Sequence, residues 1–348
     1  MAGMTQVALS DIDRSIAAAA GFIADARSPD GLWRDFHTLA GESCDWVSSF
    51  VAFNVGDCGL LRDIVRDTLP AILRRQRPSG GWAYNERVPT DCDSTAWVVL
   101  ALTASTVWKP SLVLRALAFL TRHSTDGGFA TYAAEDGIEE FIGASADQTE
   151  GWRSDHLCVT AVTARALLQN GFRNDERVRT AITALTHAQG DDGTWRSYWW
   201  AGHAYATAQT LRALAAARAL PVDTWRHATE GLLRLQHDDG GFGDDGTEPH
   251  AFATSMSLTA LLTRPDPACD KAIDYAASWL LTSQRGGSWG GFPILRIPSP
   301  MAIDATAGEY SVDRLGTGVT VRDEKHIFTT AACLAALTEY RTATLGRR

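Results

Sequence analysis

Apolar residues along most of the chain recur three and four positions apart, which is the spacing of one face of an α-helix. Two kinds of helix alternate. Amphipathic segments such as Leu112–Thr121 and Thr229–Gln236 carry one apolar stripe, and each is followed by a more apolar segment rich in small residues. No strand-like alternation competes. The apolar helices are predicted at Trp46–Val55, Thr95–Ala104, Cys158–Leu168, Tyr205–Ala217, Phe252–Leu262 and Ile327–Leu337.

A short turn with one or two glycines before an aromatic residue separates the two kinds of helix. The aromatic residues are Trp33, Trp82, Phe129, Trp195, Phe242 and Trp289, at intervals of 49, 47, 66, 47 and 47 residues. Such a period indicates a repeat architecture in which each unit packs on its neighbours. Six helix pairs that close into a ring leave no end that needs a cap. The sequence therefore predicts an all-α fold, an (α/α)6 barrel or toroid with the apolar helices inside, which uses residues 1–348 as one domain.

Two of the six repeats are longer than the others. Most repeats use about 12–15 residues from the turn aromatic to the inner helix, but 31 separate Phe129 from Thr160 and 41 separate Trp289 from Thr330. Both insertions, at about 130–155 and 290–326, enter at the start of an inner helix and so share one rim of the ring. Loops of this length are usually lids or binding elements. We expect them to border a site, with solvated surface loops as the alternative.

Composition and charge narrow the class of protein. The chain has 45% apolar residues, enough for a large core. Its net charge is −9, which argues against a nucleic-acid partner, because such a partner would require a basic surface. No apolar run approaches the roughly 20 residues that span a bilayer, and the first residues lack the basic stretch of a secretory signal. Six cysteines without a C-x-x-C pair argue against a zinc ribbon. We expect a soluble cytoplasmic protein that binds no nucleic acid and has no transmembrane segment.

The strongest candidate for chemistry is an acidic segment in the second repeat. It reads DCDSTA from Asp91 to Ala96, at the predicted start of an inner helix. An aspartate at this place can simply cap the helix by accepting backbone N–H groups. Alternatively, two carboxyl groups that are buried together raise each other's pKa, and an acid of this kind can stay protonated until it transfers its proton to a very weak base.

Glutamine precedes four of the turns at a nearly fixed distance, in the pairs Gln76–Trp82, Gln189–Trp195, Gln236–Phe242 and Gln284–Trp289. These pairs resemble the QW repeats of class II terpene and triterpene cyclases related to squalene–hopene cyclase. The acidic segment is similar to the D-x-D-D-T-A motif of that family, with Asp91 and Asp93 at the first two acids and Ser94 in place of the third. The resemblance implies a protonation-initiated cyclase in which Asp93 is the proton donor and Asp91 its partner.

The same resemblance implies further site residues. Tyr84, two residues after a turn aromatic, matches a position that stabilises carbocations. In the fourth repeat the family pattern G-S-W-x-x-x-W-G-x-x-Y-x-Y-G-T matches Trp199, at a cavity-lining position, and Tyr205, and it places His203 at a tyrosine of the proton-return path. A hydrogen-bonded rim histidine is the alternative for His203. Two tryptophans on predicted inner helices, Trp46 and Trp97, match no family motif. We expect them to line the cavity, because aromatic faces attract cations. Core packing is the alternative.

The resemblance also implies the ligands. The expected substrate is a linear isoprenoid, and no cofactor is expected for the chemical step, with Mg²⁺ needed only if the substrate carries a diphosphate. The segment Glu135–Glu139 faintly resembles an acidic motif that helps related diterpene cyclases bind magnesium-diphosphate, and ordinary loop acidity is the alternative. Squalene–hopene cyclase has a second helical barrel beside its toroid. Since this chain has one ring, we expect the two insertions, or a second copy in a homodimer, to close the cavity.

Three other classes of protein share a helical toroid. A protein prenyltransferase β subunit needs a zinc site with an Asp-x-Cys pair, and the sequence contains none. A glycan-processing enzyme uses two carboxylates that flank a groove, which Asp91 or Asp93 can mimic together with an acid from the Glu135–Asp155 loop. A non-catalytic binding ring has no reason to bury an aspartate in an aromatic cavity. The surroundings of Asp93 therefore separate a cyclase from these alternatives.

Overall fold

The computed structural model describes residues 7–105, 109–244, 246–306 and 316–346. Six helices form an outer layer: α1 (Leu9–Asp25), α3 (Arg62–Leu73), α5 (Pro110–Arg122), α9 (Glu176–His187), α11 (Val222–Arg234) and α13 (Asp270–Ser283). Six form an inner layer: α2 (Asp45–Asn54), α4 (Cys92–Thr103), α8 (Leu157–Gln169), α10 (Ala204–Ala216), α12 (Ala251–Leu261) and α14 (Ile327–Gly346). Two short helices, α6 (Ile138–Ile142) and α7 (Glu150–Arg153), lie between α5 and α8.

The inner helices pack side by side, and α14 packs against α2, so the ring is closed. The outer helices pack on them, as α1 does on α14 and α9 on α8. The residue pattern explains the two layers. In α12 every residue is buried, whereas α11 buries one stripe that includes Trp225, Ala228 and Leu232. The predicted (α/α)6 toroid is confirmed.

Within the described ranges, three short antiparallel strand pairs add to the helices, although the sequence analysis predicted no strands. Strand β1 (Asp35–Thr38) pairs with β2 (Gly41–Ser43), β3 (Trp82–Ala83) with β4 (Thr90–Asp91), and β5 (Pro293–Ile297) with β6 (Val319–Arg322), all antiparallel. Strands of two to five residues are too short to show alternation in a sequence. Within the ranges given above, no helix has the length and apolar character needed to cross a membrane.

One set of hydrogen bonds recurs in all six repeats and fixes each turn to its inner helix. The backbone N–H of the turn aromatic donates to a side-chain hydroxyl in the first turn of the inner helix, over 2.9–3.3 Å. The hydroxyl groups belong to Ser48, Thr95, Thr160, Thr207, Thr254 and Thr330. These six residues are equivalent in the six repeats. Residues that lie the same number of positions before them are therefore equivalent too.

The glutamines join neighbouring repeats. The Nε2 group of Gln76 donates to the carbonyl oxygen of Gly80 in its own turn and to that of Leu112 in the next outer helix, both at 2.8 Å. The indole of Trp82 donates to the carbonyl oxygen of Ile72, at the end of the preceding outer helix, at 2.7 Å. The carbonyl groups of Ile72 and Leu112 belong to α3 and α5, the outer helices before and after this turn. Each turn is therefore tied to the outer helices on both sides.

Candidate active site

Asp91 and Asp93 lie at the start of α4. Asp91 is the N-cap of this helix, because its Oδ1 accepts the backbone N–H of Ser94 and its Oδ2 accepts the Ser94 hydroxyl, both at 2.7 Å. Asp93 instead accepts the indole N–H of Trp46, from the neighbouring helix α2, at 3.0 Å. Helix capping therefore accounts for Asp91 and leaves Asp93 without such a role.

Both carboxyl groups line a cavity of about 150 Å³. The aromatic side chains that line it are Trp46, Tyr84, Tyr132, Phe141, Trp152, Trp199 and Trp200. Ile138 of α6 contributes to the wall, as do Leu295 and Ile297 of β5. Side chains of α2, of α4 and of both long insertions thus line one mainly apolar space around the two acids.

Burial weakens both carboxylic acids. It raises the pKa of Asp91 to about 7, although the hydrogen bonds from Ser94 act in the opposite direction. It raises the pKa of Asp93 well above its usual range; the charge of Asp91 raises this pKa further, whereas the bond from Trp46 lowers it. In the part of the chain that the structure describes, Trp46 is the one hydrogen-bond donor to this carboxyl group. Burial therefore favours the protonated form of Asp93.

Hydrogen bonds fix the aromatic walls. The hydroxyl of Tyr84 donates to the carbonyl oxygen of Phe36 at 2.7 Å, and its ring stacks with that of Trp46 at a centroid distance of 6.1 Å. The indole N–H of Trp199 donates to the hydroxyl oxygen of Thr131 at 2.7 Å. Since their polar atoms are engaged with protein groups, these rings offer apolar surface to the cavity. The structure thus brings the predicted residues Trp46, Tyr84 and Trp199 together with Asp93.

The position of Asp93 recurs in every repeat, two residues before the hydroxyl that binds the turn. The six residues are Trp46, Asp93, Cys158, Tyr205, Phe252 and Phe328. The ring of Trp200 stacks on Tyr205 and Phe252, with centroid distances of 4.1 and 5.1 Å. Asp93 therefore stands where four of the other five repeats place an aromatic side chain.

Two predicted cavity residues lie in the core instead. Tyr205 is buried and covered by Trp200. Trp97 is buried and packs against Phe50 at a centroid distance of 4.9 Å. Neither is among the described residues that line the cavity. Core packing, the alternative given above, accounts for the position of Trp97.

His203 does not line the cavity within the described ranges, and its role in proton return stays a prediction. His203 precedes α10, two inner helices along the ring from the acids. Its Nδ1 lies 2.7 Å from the hydroxyl oxygen of Thr194 and 3.8 Å from a carboxylate oxygen of Asp192. It occupies the position of Asp91 in its own repeat, and histidine recurs there at His156 and His250. His203 is a hydrogen-bonded residue at a helix start.

Four lining aromatics were not predicted from the sequence, namely Tyr132, Phe141, Trp152 and Trp200. Trp200 directly follows Trp199, and this segment pairs with β5, whose Arg296 N–H donates to the carbonyl oxygen of Trp199 at 2.8 Å. In the sequence, the position of Trp200 directly after the predicted cavity residue Trp199 was the available sign that it lines the cavity. Trp152 lies in the acidic first insertion, where a large apolar side chain was the one sign in the sequence that this residue is buried.

The two insertions meet beside the cavity. The indole N–H of Trp152 donates to the carbonyl oxygen of Pro298 at 3.1 Å, and its backbone N–H donates to that of Pro300 at 3.2 Å. The hydroxyl of Tyr198 donates to the carbonyl oxygen of Ala302 at 2.7 Å. Residues 307–315 of the second insertion lie outside the described residues. The described parts confirm that the insertions border the cavity.

The acidic segment of the first insertion is engaged in local bonds. Asp136 contacts His123, and Glu139 accepts hydrogen bonds from Arg153 at 2.9 Å and from Thr149 at 3.2 Å. Among the residues that the structure describes, no three His, Cys, Asp or Glu side chains come close enough together to hold a metal ion. These acids hold the insertion together.

Comparison with known proteins identifies the family. The model of the squalene–hopene cyclase C-terminal domain matches residues 60–253. The type II terpene cyclase MstE from Scytonema is 29% identical, with a TM-score of 0.85 over 97% of this chain and 99% of its own. A variant of MstE has been solved with its substrate, geranylgeranyl dihydroxybenzoate. A protein from Actinoplanes is 27% identical, with a TM-score of 0.86 over 94% of this chain and 99% of its own.

A more distant likeness supports the fold alone. The ent-copalyl diphosphate synthase from Streptomyces platensis is 20% identical, with a TM-score of 0.61 over 85% of this chain and 50% of its own. A search of curated protein sequences gives no match. The family model covers more than half of the chain, and the likeness to MstE extends over nearly all of it. The chain therefore belongs to the squalene–hopene cyclase C-terminal domain family and has the toroid of a type II terpene cyclase.

Proposed function

We propose that the protein is a class II isoprenoid cyclase in which Asp93 protonates an alkene of a linear substrate. The observation that carries this proposal is a carboxyl group whose pKa burial raises, that of Asp93, at the wall of an apolar, aromatic cavity. An alkene is a very weak base, so its protonation requires an acid that water does not compete for. The cavity supplies such surroundings, and burial keeps the proton on Asp93 until a substrate enters.

The two acids have different tasks in this proposal. Asp91 accepts two hydrogen bonds from Ser94, which stabilise its carboxylate form. Asp93 accepts one, from Trp46, and faces the cavity. The anion that remains after proton transfer gains from the Trp46 N–H and from the nearby N-terminus of α4. Asp93 is therefore the donor, and Asp91 raises its pKa.

The reaction then balances as follows. The O–H bond of Asp93 breaks and the alkene π electrons form a new C–H bond, which leaves a tertiary cation at the neighbouring carbon. The next double bond of the chain attacks this cation, closes a ring and moves the charge onward. The last cation loses a proton to a base and becomes an alkene. The faces of Trp46, Tyr84, Trp199 and Trp200 can stabilise the intermediate charge, each by about 2 kcal/mol when it is shielded from water.

The substrate class follows from the same cavity. Its walls suit a flexible hydrocarbon chain, and MstE, which is similar over nearly its whole length, binds a geranylgeranyl group attached to a dihydroxybenzoate. We propose a polyprenyl chain of similar length that carries an aromatic or other polar head. The chemical step uses no metal in this scheme. Chelation with EDTA is expected to leave the cyclisation of a substrate without a diphosphate unchanged.

The test is incubation with geranylgeranyl dihydroxybenzoate, geranylgeranyl diphosphate, farnesyl diphosphate and squalene, with mass and NMR analysis of the products. We expect cyclised isomers of equal mass from at least one substrate. Asp93→Asn keeps the shape of the side chain and removes the acid, so its products should disappear while the fold persists. Asp223→Asn, at an exposed carboxylate on α11, is the matched control and should behave as the unmodified protein does. Near-normal turnover by Asp93→Asn would exclude this mechanism.

A further inference from the structure

A histidine lies directly behind one hydroxyl group of the cavity wall. Thr131 lines the cavity, and its side-chain oxygen lies 2.8 Å from Nδ1 of His156, the residue that precedes α8. Both side chains are buried. The reaction proposed above ends when the last cation gives a proton to a base, and no residue has yet been assigned to that task. Thr131 and His156 are the candidates considered for it.

The hydrogen bonds of His156 fix the position of its hydrogen. Its Nε2 lies 2.9 Å from the carbonyl oxygen of Gly151. A carbonyl oxygen only accepts, so Nε2 carries the hydrogen, and Nδ1 of the neutral ring is an acceptor. Burial lowers the pKa of His156 to about 3, so the ring is neutral near pH 7. The hydroxyl group of Thr131 therefore donates to the lone pair of Nδ1.

The oxygen of Thr131 keeps one lone pair for the cavity. The indole N–H of Trp199 donates to this oxygen at 2.7 Å, and a hydroxyl oxygen has two lone pairs. The backbone holds the residue in place, because the N–H of Cys92 donates to the carbonyl oxygen of Thr131 at 2.9 Å. Cys92 stands between Asp91 and Asp93 in the chain. Thr131 therefore lies beside the acidic segment of the cavity.

Other hydroxyl groups of the cavity wall donate to different partners. Those of Thr38 and Tyr84 donate to backbone carbonyl oxygens, which are much weaker bases than an imidazole nitrogen. That of Ser94 donates to Asp91, which the proposal above assigns to the acid. Within the described ranges, Thr131 is the lining residue whose hydroxyl group is bonded to a neutral imidazole.

Resting on the function proposed above, we propose that Thr131, with His156 behind it, is the base that takes the terminating proton. Thr131 is the catalytic residue, because it borders the space that the substrate occupies. His156 is a positioning residue that acts through Thr131. Since Thr131 lies beside the acidic segment, it reaches a cation within a few carbon–carbon bonds of the carbon that Asp93 protonates. We therefore expect a product with few new rings.

The step balances in atoms and electrons. A C–H bond next to the cationic carbon breaks, and its electron pair forms the new C=C bond. The proton goes to the remaining lone pair of the Thr131 oxygen, while the hydroxyl's own proton passes to Nδ1 of His156. The ring of Tyr198, stacked on His156 at a centroid distance of 3.7 Å, can stabilise the imidazolium. After the product leaves, the proton returns through Thr131 to water, which the low pKa of His156 favours.

The experiment measures products separately from substrate consumption. A substrate that the unmodified protein cyclises is incubated with Thr131→Val, which removes the hydroxyl group and nearly keeps the shape. Consumption should stay within about threefold, because the base acts after the protonation by Asp93. The share of the main alkene should fall about tenfold or more, since acid–base groups contribute about 10²–10⁴-fold. Other alkene isomers, or alcohols formed with water, should replace it in mass and NMR analysis.

Two variants serve as controls for Thr131→Val. Thr131→Ser keeps the hydroxyl group and should restore the main alkene. Thr163→Val removes another buried hydroxyl group, which lies on α8, 3.2 Å from the sulfur of Cys92 and outside the cavity lining that the structure describes. It should leave the product ratio unchanged. A loss of consumption with an unchanged product ratio in Thr131→Val would overturn the proposal.

His156→Gln tests the residue behind Thr131, and it also replaces Thr131→Val if that variant does not fold. It should shift the product ratio in the same direction. The double variant should give the ratio of Thr131→Val alone, because the two residues act in one step. Additive shifts would indicate a merely structural histidine and overturn the proposal, as would unchanged ratios in both single variants. Absence of cyclisation by the unmodified protein would instead reject the proposed function itself.

Discussion

The hydrogen bond from Trp46 to Asp93 provides a quantitative test of the proposed acid. Trp46→Phe keeps an aromatic ring in the cavity wall and removes the N–H that lies 3.0 Å from Oδ2 of Asp93. This N–H binds the carboxyl group before proton transfer and the carboxylate afterwards. Only the difference between these two interactions affects the rate of the chemical step.

The magnitude follows from hydrogen-bond energies. A bond to a charged group contributes about 1.5–3 kcal/mol, and a bond between neutral groups contributes about 1 kcal/mol. The difference of about 0.5–2 kcal/mol corresponds to a rate that is lower by about 2- to 30-fold, since about 1.4 kcal/mol is a factor of ten. The same bond lowers the pKa of Asp93. Its loss therefore raises this pKa further.

The assay is a pH profile of kcat/KM, which reports the ionisation of the free enzyme. Activity requires protonated Asp93, so it falls as the pH rises through the pKa of this residue. For Trp46→Phe, the maximum of kcat/KM should be lower, and the fall of kcat/KM at high pH should occur at a higher pH than in the unmodified enzyme. Trp97→Phe, a change in the core outside the cavity lining, is the control and should leave the pH of this fall unchanged. A fall at lower pH, or a maximum equal to that of the unmodified enzyme, would refute this reasoning.

Three further changes test the acid, the repeat and the cavity wall. Asp93→Asn should raise the melting temperature more at pH 8 than at pH 4.5. The pKa of Asp93 is higher in the folded than in the unfolded protein, so this residue makes the protein less stable as the pH rises, and asparagine removes that loss. An equal rise in melting temperature at both pH values would contradict this. Gln189→Ala removes bonds to the carbonyl groups of Gly193 and Thr224 and should cost about 1–3 kcal/mol in urea unfolding, and no measurable loss would argue against the joining role. Trp152→Ala should admit water and yield hydroxylated products by mass spectrometry, whereas an unchanged product mixture would show that Trp152 does not exclude water.

The ring was predictable because its determinants are local and repeated. The period of about 47 residues, the glutamine before the turn and the apolar inner helices are all visible in the sequence. The role of Thr95 was less visible, because its hydroxyl bonds the turn 13 residues earlier, at Trp82, which only the folded chain shows. The inner helices begin and end within a few residues of the prediction, apart from α14, which continues past Leu337 to Gly346.

The site was only partly predictable, because its walls come from distant segments. Asp91 and Asp93 could be found since one short segment carries both. Trp152 and Trp200 line the cavity because the second insertion bonds to Trp152 and pairs with the segment after Trp199, and neither contact leaves a periodic signal. The neighbours of His203, Thr194 and Asp192, come from the preceding turn, and the family pattern that pointed to this histidine did not indicate them.

The repeat also explains why an acid at position 93 has these properties. Trp46, one repeat earlier, occupies the equivalent position on α2, and its indole reaches across to the carboxyl group of Asp93. Cys158 and Tyr205 occupy this position in the following two repeats, and the charge of Asp93 raises the pKa of both. A side chain at this position therefore points towards its equivalents inside the ring, where a layer of apolar and aromatic groups surrounds it. An aspartate in such a layer is buried beside aromatic faces, and this burial, together with the charge of Asp91, raises its pKa.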